Sequence, residues 1–166
     1  MKNEITLASN LIKIIDESRQ NALRKVNEEL IRMYWQVGEF LSNESKNASF
    51  GDSYIDAIAS EIQEAFPGIK GFNRRGLYRM KQFYELYKDD EIVSTLLTQL
   101  SWSNHLKIMS ACKTMEERIF YMHMCVKERY SARELARQID SAYYERYMLS
   151  QQPVTTAIEE AKRATG

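Results

Sequence analysis

Six side chains able to handle phosphate or a nucleobase edge crowd one short stretch. Between 66 and 87 the chain reads FPGIKGFNRRGLYRMKQFYELY, which sets Arg74, Arg75, Arg79 and Lys81 around Tyr78 and Gln82. Guanidinium and ammonium groups neutralise phosphate, a phenol hydrogen-bonds phosphate or packs on sugar, and a carboxamide pairs with the edge of adenine. Lys70 stands just ahead of the run, and Arg133 and Arg137 form a smaller basic pair further on. Cations at 74 and 75 would sit at the positive end of a helix capped by Asn73, a costly place unless an anion is met there. These nine residues are the candidate DNA contacts. The plain alternative is a solvated basic face with no ligand.

Other chemistry finds little support. His105, Cys112, His123 and Cys125 are the soft metal ligands, and their spacing fits no zinc pattern. Neither histidine lies in a Ser-His-Asp context. Gly68, Gly71 and Gly76 spell no phosphate-binding fingerprint. Glu160-Ala161-Lys162 has the letters of a nuclease E-x-K motif but lies in a polar helical tail without strands, which reads as chance. No catalytic residue, metal site or cofactor is therefore expected. The two cysteines lack a disulfide framework and no signal peptide is recognisable, which together predict reduced thiols in the cytoplasm. No apolar run approaches the ~20 residues of a membrane span.

The candidate residues must be positioned by helices. The 166 residues carry zero net charge and include only two prolines and six glycines, which leaves little room for an all-β fold. The charge is segregated: six acids against one base over 39–66, then six bases against one acid over 68–88. Leu11, Ile15, Ser18, Ala22, Val26, Leu30, Met33, Val37 and Leu41 step by three and four, predicting a long amphipathic helix over about 4–43, with Asn21 and Asn27 as its weak points. At ~1.5 Å per residue it is too long for one small domain to cover, so it must bend, protrude or meet a partner.

A polar loop precedes a helix over 54–66, capped by Asp52 or Ser53. A second follows Asn73, with Leu77, Met80, Tyr84 and Tyr87 inward and Tyr78 outward. The pair reads as a helix–turn–helix with a longer turn than usual. Further helices are expected near 91–100, 104–111 and 115–130, with capping boxes at Thr114-Met-Glu-Glu117 and Ser131-Ala-Arg-Glu134. The second box starts a helix to about 148, giving another helix–turn–helix candidate. A linker at 151–153 and a weak helix over 154–164 close the chain. The expectation is an all-α domain over 1–148 and a tail over 149–166.

Four runs in order carry a family resemblance: NEELIRMYWQVGEFL (27–41), IASEIQEAFPGIKGFNRRGLYRMKQFYELY (58–87), QLSWSNHLKIM (99–109) and YSARELARQI (130–139). They resemble the N-terminal domain of YhcG-like proteins, a bacterial family grouped with the PD-(D/E)xK nucleases. Against that pattern Asn73 replaces Ser, Gly76 replaces Asn, Ser101 replaces Pro and Tyr130 replaces Trp. The resemblance implies a helical DNA-binding domain, followed in relatives by a nuclease domain beyond the linker. The absence of that half predicts that the chain as given is not an enzyme.

The combined expectation is a DNA-binding or targeting module of a nuclease, with backbone contacts from Arg74, Arg75, Arg79 and Lys81, and Tyr78 and Gln82 placed to reach base edges. The rival is a protein-interaction module that dimerises through the first helix and docks its basic face on an acidic partner.

Overall fold

The computed structural model describes residues 2–151 and 161–164. Among them lie α1 (Lys2–Glu44), α2 (Asp52–Ala65), α3 (Arg74–Tyr87), α4 (Glu91–Leu97), α5 (Trp102–Ala111), α6 (Met115–Glu128), α7 (Ala132–Asp140) and α8 (Tyr143–Ser150), with helix again at 161–164 and no strand. The protein is all-α. Of the tail expected over 149–166, residues 152–160 and 165–166 lie outside the described residues, Glu160 among them.

The chain gathers into two units, Met1–Trp102 and Ser103–Gly166. In the first unit, α1 runs 43 residues without a break. Asn27 is no weak point. Its side-chain amide donates to the carbonyls of Thr98 (3.1 Å) and Leu100 (2.8 Å), tying α1 to the end of α4. Two regimes divide α1. Every side chain from 6 to 26 is exposed, while Ile31 and Leu41 are fully buried.

The buried half packs on α3, and Gly38 permits the close approach. A β-carbon there would stand 2.1 Å from the Met80 carbonyl oxygen. Leu41, Ile55, Phe72, Leu77 and Met80 form the core of this unit. Each side chain so buried contributes roughly 1.5–3 kcal/mol. Aromatic rings extend it: Tyr34 stacks on Trp102 at 4.4 Å, and Trp35 meets Phe83 and Tyr84 edge-on at 5.6 and 5.0 Å. Several residues of the resembling runs are thus packing residues. On α3, Phe83 is buried in place of the expected Tyr84, which is half-buried.

In the second unit the Ser131–Glu134 capping box is complete. The Thr114 box is half formed: Thr114 accepts from the Glu117 N–H, but the Glu117 carboxylate takes the Lys113 N–H instead. The single helix expected from Ser131 to about 148 is broken between α7 and α8, where Ala142 turns left-handed at φ 56°. Tertiary packing favours the break. The Tyr121 hydroxyl accepts from the Tyr144 N–H at 3.2 Å, serving a donor that the start of α8 leaves open. Phe120 is surrounded by Tyr143, Tyr144 and Tyr147 at centroid distances of 5.1–5.5 Å.

Candidate nucleic-acid interface

Helix α3 starts where the sequence placed it. The Asn73 side chain accepts from the Gly76 N–H at 2.8 Å. Gly76 has a steric reason to be glycine: a β-carbon would fall 1.9 Å from the carbonyl oxygen of Gly71, which itself holds a left-handed φ of 87°. The loop folds back over the first turn of the helix, so no larger side chain fits at 76. At the other junction the expected caps are not used. Gly51 occupies the N-cap of α2 without a side-chain bond, and Asp52 begins the helix.

Asp52 instead turns to α3, together with Asp56. Arg74 donates from Nε to Asp56 Oδ1 at 2.9 Å and from Nη2 to Asp56 Oδ2, and its Nη1 lies 3.5 Å from Asp52. The hydrogen bond from Arg74 holds the Asp56 carboxyl below its ordinary range, and Asp56 raises the guanidinium in turn. Tyr78 donates to Asp52 at 2.6 Å, which pushes the phenol pKa up. The ring of Tyr78 packs against the core cluster, so it is half inward where an outward position was expected. Two acids of α2 thereby supply the negative charge that the first turn of α3 lacks. In the sequence they appear only as part of an acidic stretch. Their signal was the acidic segment directly preceding the basic one.

Lys81 is also engaged. It pairs with Glu85 at 2.9 Å, lies 5.8 Å from the Phe50 ring centre, and is only 20% exposed. Burial works to raise the Glu85 carboxyl, but hydrogen bonds from Lys81 and Ser42 outweigh it and the net shift is downward.

The other candidates stand open. Lys70, Arg75 and Gln82 are exposed and Arg79 half-exposed, and none has a side-chain partner among the described residues. Arg75 and Arg79 are one helical turn apart. In the second unit Arg133 and Arg137 are likewise one turn apart on α7, exposed and without side-chain partners among the described residues. No group of three or more His, Cys, Asp or Glu side chains converges among the described residues as a metal site would require. No described helix is long and apolar enough to cross a membrane.

An all-helical chain whose third helix presents a partly neutralised basic face is the class defined so far. Comparison with known proteins adds the family. Residues 10–146 match the family described as DUF1016 N-terminal domain, and the chain belongs to it. It is similar to the curated protein named "Putative nuclease YhcG" of Escherichia coli (strain K12), 24% identical over 173 aligned positions that take in 84% of this chain and 45% of that protein. The chain therefore spans about half the length of the curated relative it matches. No solved structure gives a significant match.

These comparisons overturn one expectation. The expectation that the chain is not an enzyme does not stand, because 84% of it aligns with the protein named "Putative nuclease YhcG". Where a given sequence ends carries no information about activity.

Proposed function

We propose that this chain binds DNA as a targeting module of a nuclease, with α3 presented to the sugar–phosphate backbone. In this reading α2 and α3 act as a helix–turn–helix with an extended loop. Lys70, Arg75 and Arg79 contact phosphates, and Gln82 reaches a base edge. Arg74, Tyr78 and Lys81 serve the same face indirectly, by fixing α3 against α2 and α1. Arg133 and Arg137 offer a second phosphate-binding pair on α7. The observation that carries the reading is the pair Arg75 and Arg79, cations on one helix face with no partner in the described protein. Unpaired, closely spaced arginines suit phosphate, and similarity to a protein named "Putative nuclease YhcG" supports a nucleic-acid ligand, here taken as DNA. The free thiols Cys112 and Cys125 accord with a cytoplasmic site of action.

The test is binding of random duplex DNA by the full chain over a series of salt concentrations. Phosphate binding gives an affinity that falls linearly on log–log axes. Salt-independent or absent binding sinks the proposal. Adding Mg²⁺ to the same samples with plasmid reads cleavage directly.

One observation favours self-association as a second property: the exposed apolar half of α1. In this reading the chain is a homo-oligomer through that helix, whether or not DNA is bound.

A further inference from the structure

Phe66 is a large apolar side chain standing in solvent, 62% exposed at the end of α2. Backbone chemistry fixes it there. Pro67 disfavours helical backbone at the residue before it, so α2 stops at Ala65 and Phe66 takes φ −131°. The loop beyond is tied down. The Ile69 N–H donates to the Phe66 carbonyl at 3.0 Å, the Gln63 side-chain amide donates to the Ile69 carbonyl at 2.9 Å, and Ile69 packs on the core cluster. Gly68 and Gly71 supply the left-handed residues of this loop, at φ 82° and 87°. A ring carried on backbone held in this way loses little further freedom when a ligand covers it.

The same loop borders the open face of α3. On one flank of that helix Asp52 and Asp56 hold Arg74 and Tyr78. At ~100° per residue, Gly76 lies roughly opposite those two, and there the Gly71 carbonyl closes over the helix. Arg75 and Arg79 occupy the arc between the two flanks that faces away from Leu77 and Met80. Lys70, exposed, directly precedes Gly71. Glu64, the acid nearest Phe66 in sequence, lies on the side of α2 turned away from Ile55 and Ile62. Phe66 and Lys70 thus stand on the loop that runs beside the Arg75–Arg79 face.

We infer that Phe66 stacks on a nucleobase that is unpaired or displaced from its helix, so that this face takes DNA with an interrupted stack in preference to a continuous duplex. The inference rests on the DNA-binding reading above and adds the class of DNA and the residue that selects it. Cations that follow phosphates, set beside a ring that takes the base, are the means by which single-stranded nucleic acid is held, and every base offers an aromatic face. Contact with phosphate alone has no use for an exposed ring. An apolar protein partner seated here would have to cover Lys70, Arg75 and Arg79 as well, at a desolvation cost. Phe40, the other exposed phenylalanine, has Glu39 and Glu44 as its charged neighbours on α1 and serves as a control.

The test is equilibrium binding of the full chain, over a series of salt concentrations, to a short duplex and to the same duplex carrying an unpaired adenine. The parent is expected to prefer the second. Phe66→Ala is expected to reduce that preference about tenfold, with the affinity for intact duplex and its salt slope unchanged. Phe66→Trp is expected to keep the preference and to show indole fluorescence quenched by the unpaired base beyond that of the parent, a signal that a merely structural role would not give. Phe40→Ala should behave as the parent. Equal binding of both duplexes by the parent, or a preference that survives Phe66→Ala, would overturn the stacking role and leave the phosphate-binding reading standing. A Phe66→Ala chain that binds both DNAs as the parent does but sediments differently would assign the ring to a protein contact instead, and the inference would fall. Failure of the parent to bind either DNA would remove both readings.

Discussion

Arg74 is closed over Asp56, Nε to Oδ1 at 2.9 Å with a second guanidinium nitrogen on Oδ2, across 18 residues of sequence. Its neighbour Arg75 has no such partner among the described residues. Two adjacent arginines thus have different work. One joins α3 to α2, and the other is left for an external anion.

This division predicts opposite phenotypes. Arg75→Ala/Arg79→Ala should keep its circular dichroism spectrum and flatten the log–log salt slope of DNA binding by about two units. The loss should be similar for all DNA sequences, because phosphate carries no base information. Arg74→Ala should leave the slope nearly unchanged and instead speed amide exchange in the first turns of α2 and α3. A double variant that binds like the parent would remove α3 from the interface and shift attention to Arg133 and Arg137.

The Arg74–Asp56 pair also sets an acid dependence. The folded-state pKa of Asp56 lies below its ordinary value of 3.8, so the pair's stabilisation is fully present above the ordinary carboxylate range. It is lost as pH falls through the lowered folded value. Asp56→Asn should therefore flatten the stability profile of this unit on the acid side, read by urea melts between about pH 5 and about pH 2. Both groups are exposed, so added salt should shrink the effect.

Gly38→Ala reverses a common rule. In an exposed helix interior the change stabilises by about 0.5–1 kcal/mol. At 38 the new β-carbon would meet the Met80 carbonyl oxygen at 2.1 Å. The helices must separate, and a loss of about 1–3 kcal/mol is expected in chemical denaturation. A neutral or stabilising result would mean that α1 and α3 cross less closely.

Asn27→Ala removes both hydrogen bonds from the α1 amide to the Thr98 and Leu100 carbonyls. A cost of about 1–3 kcal/mol is expected if the carbonyls remain shielded from water. The loss should appear as faster amide exchange around α4, with the 6–26 segment unaffected.

What the sequence determined by itself was local. Helical spacing of apolar residues marked the helices. Asn73, Thr114 and Ser131 marked three starts, since a cap bonds to an N–H only three residues on. The basic composition of the 74–81 run was equally legible. Which of those cations remain available was not, because Asp52 and Asp56 reach Arg74 and Tyr78 only once α2 lies against α3. The same holds for the break at Ala142, which accompanies the Tyr121 hydroxyl bond from another helix, and for Gly38, whose need is a carbonyl on α3. Periodicity likewise ran the apolar stripe along the whole of α1, but only the packing of α3 and the tether at Asn27 decided which half is covered. Contacts within a helix turn are written in spacing; contacts between helices depend on where two surfaces cross, and only the folded chain settles that.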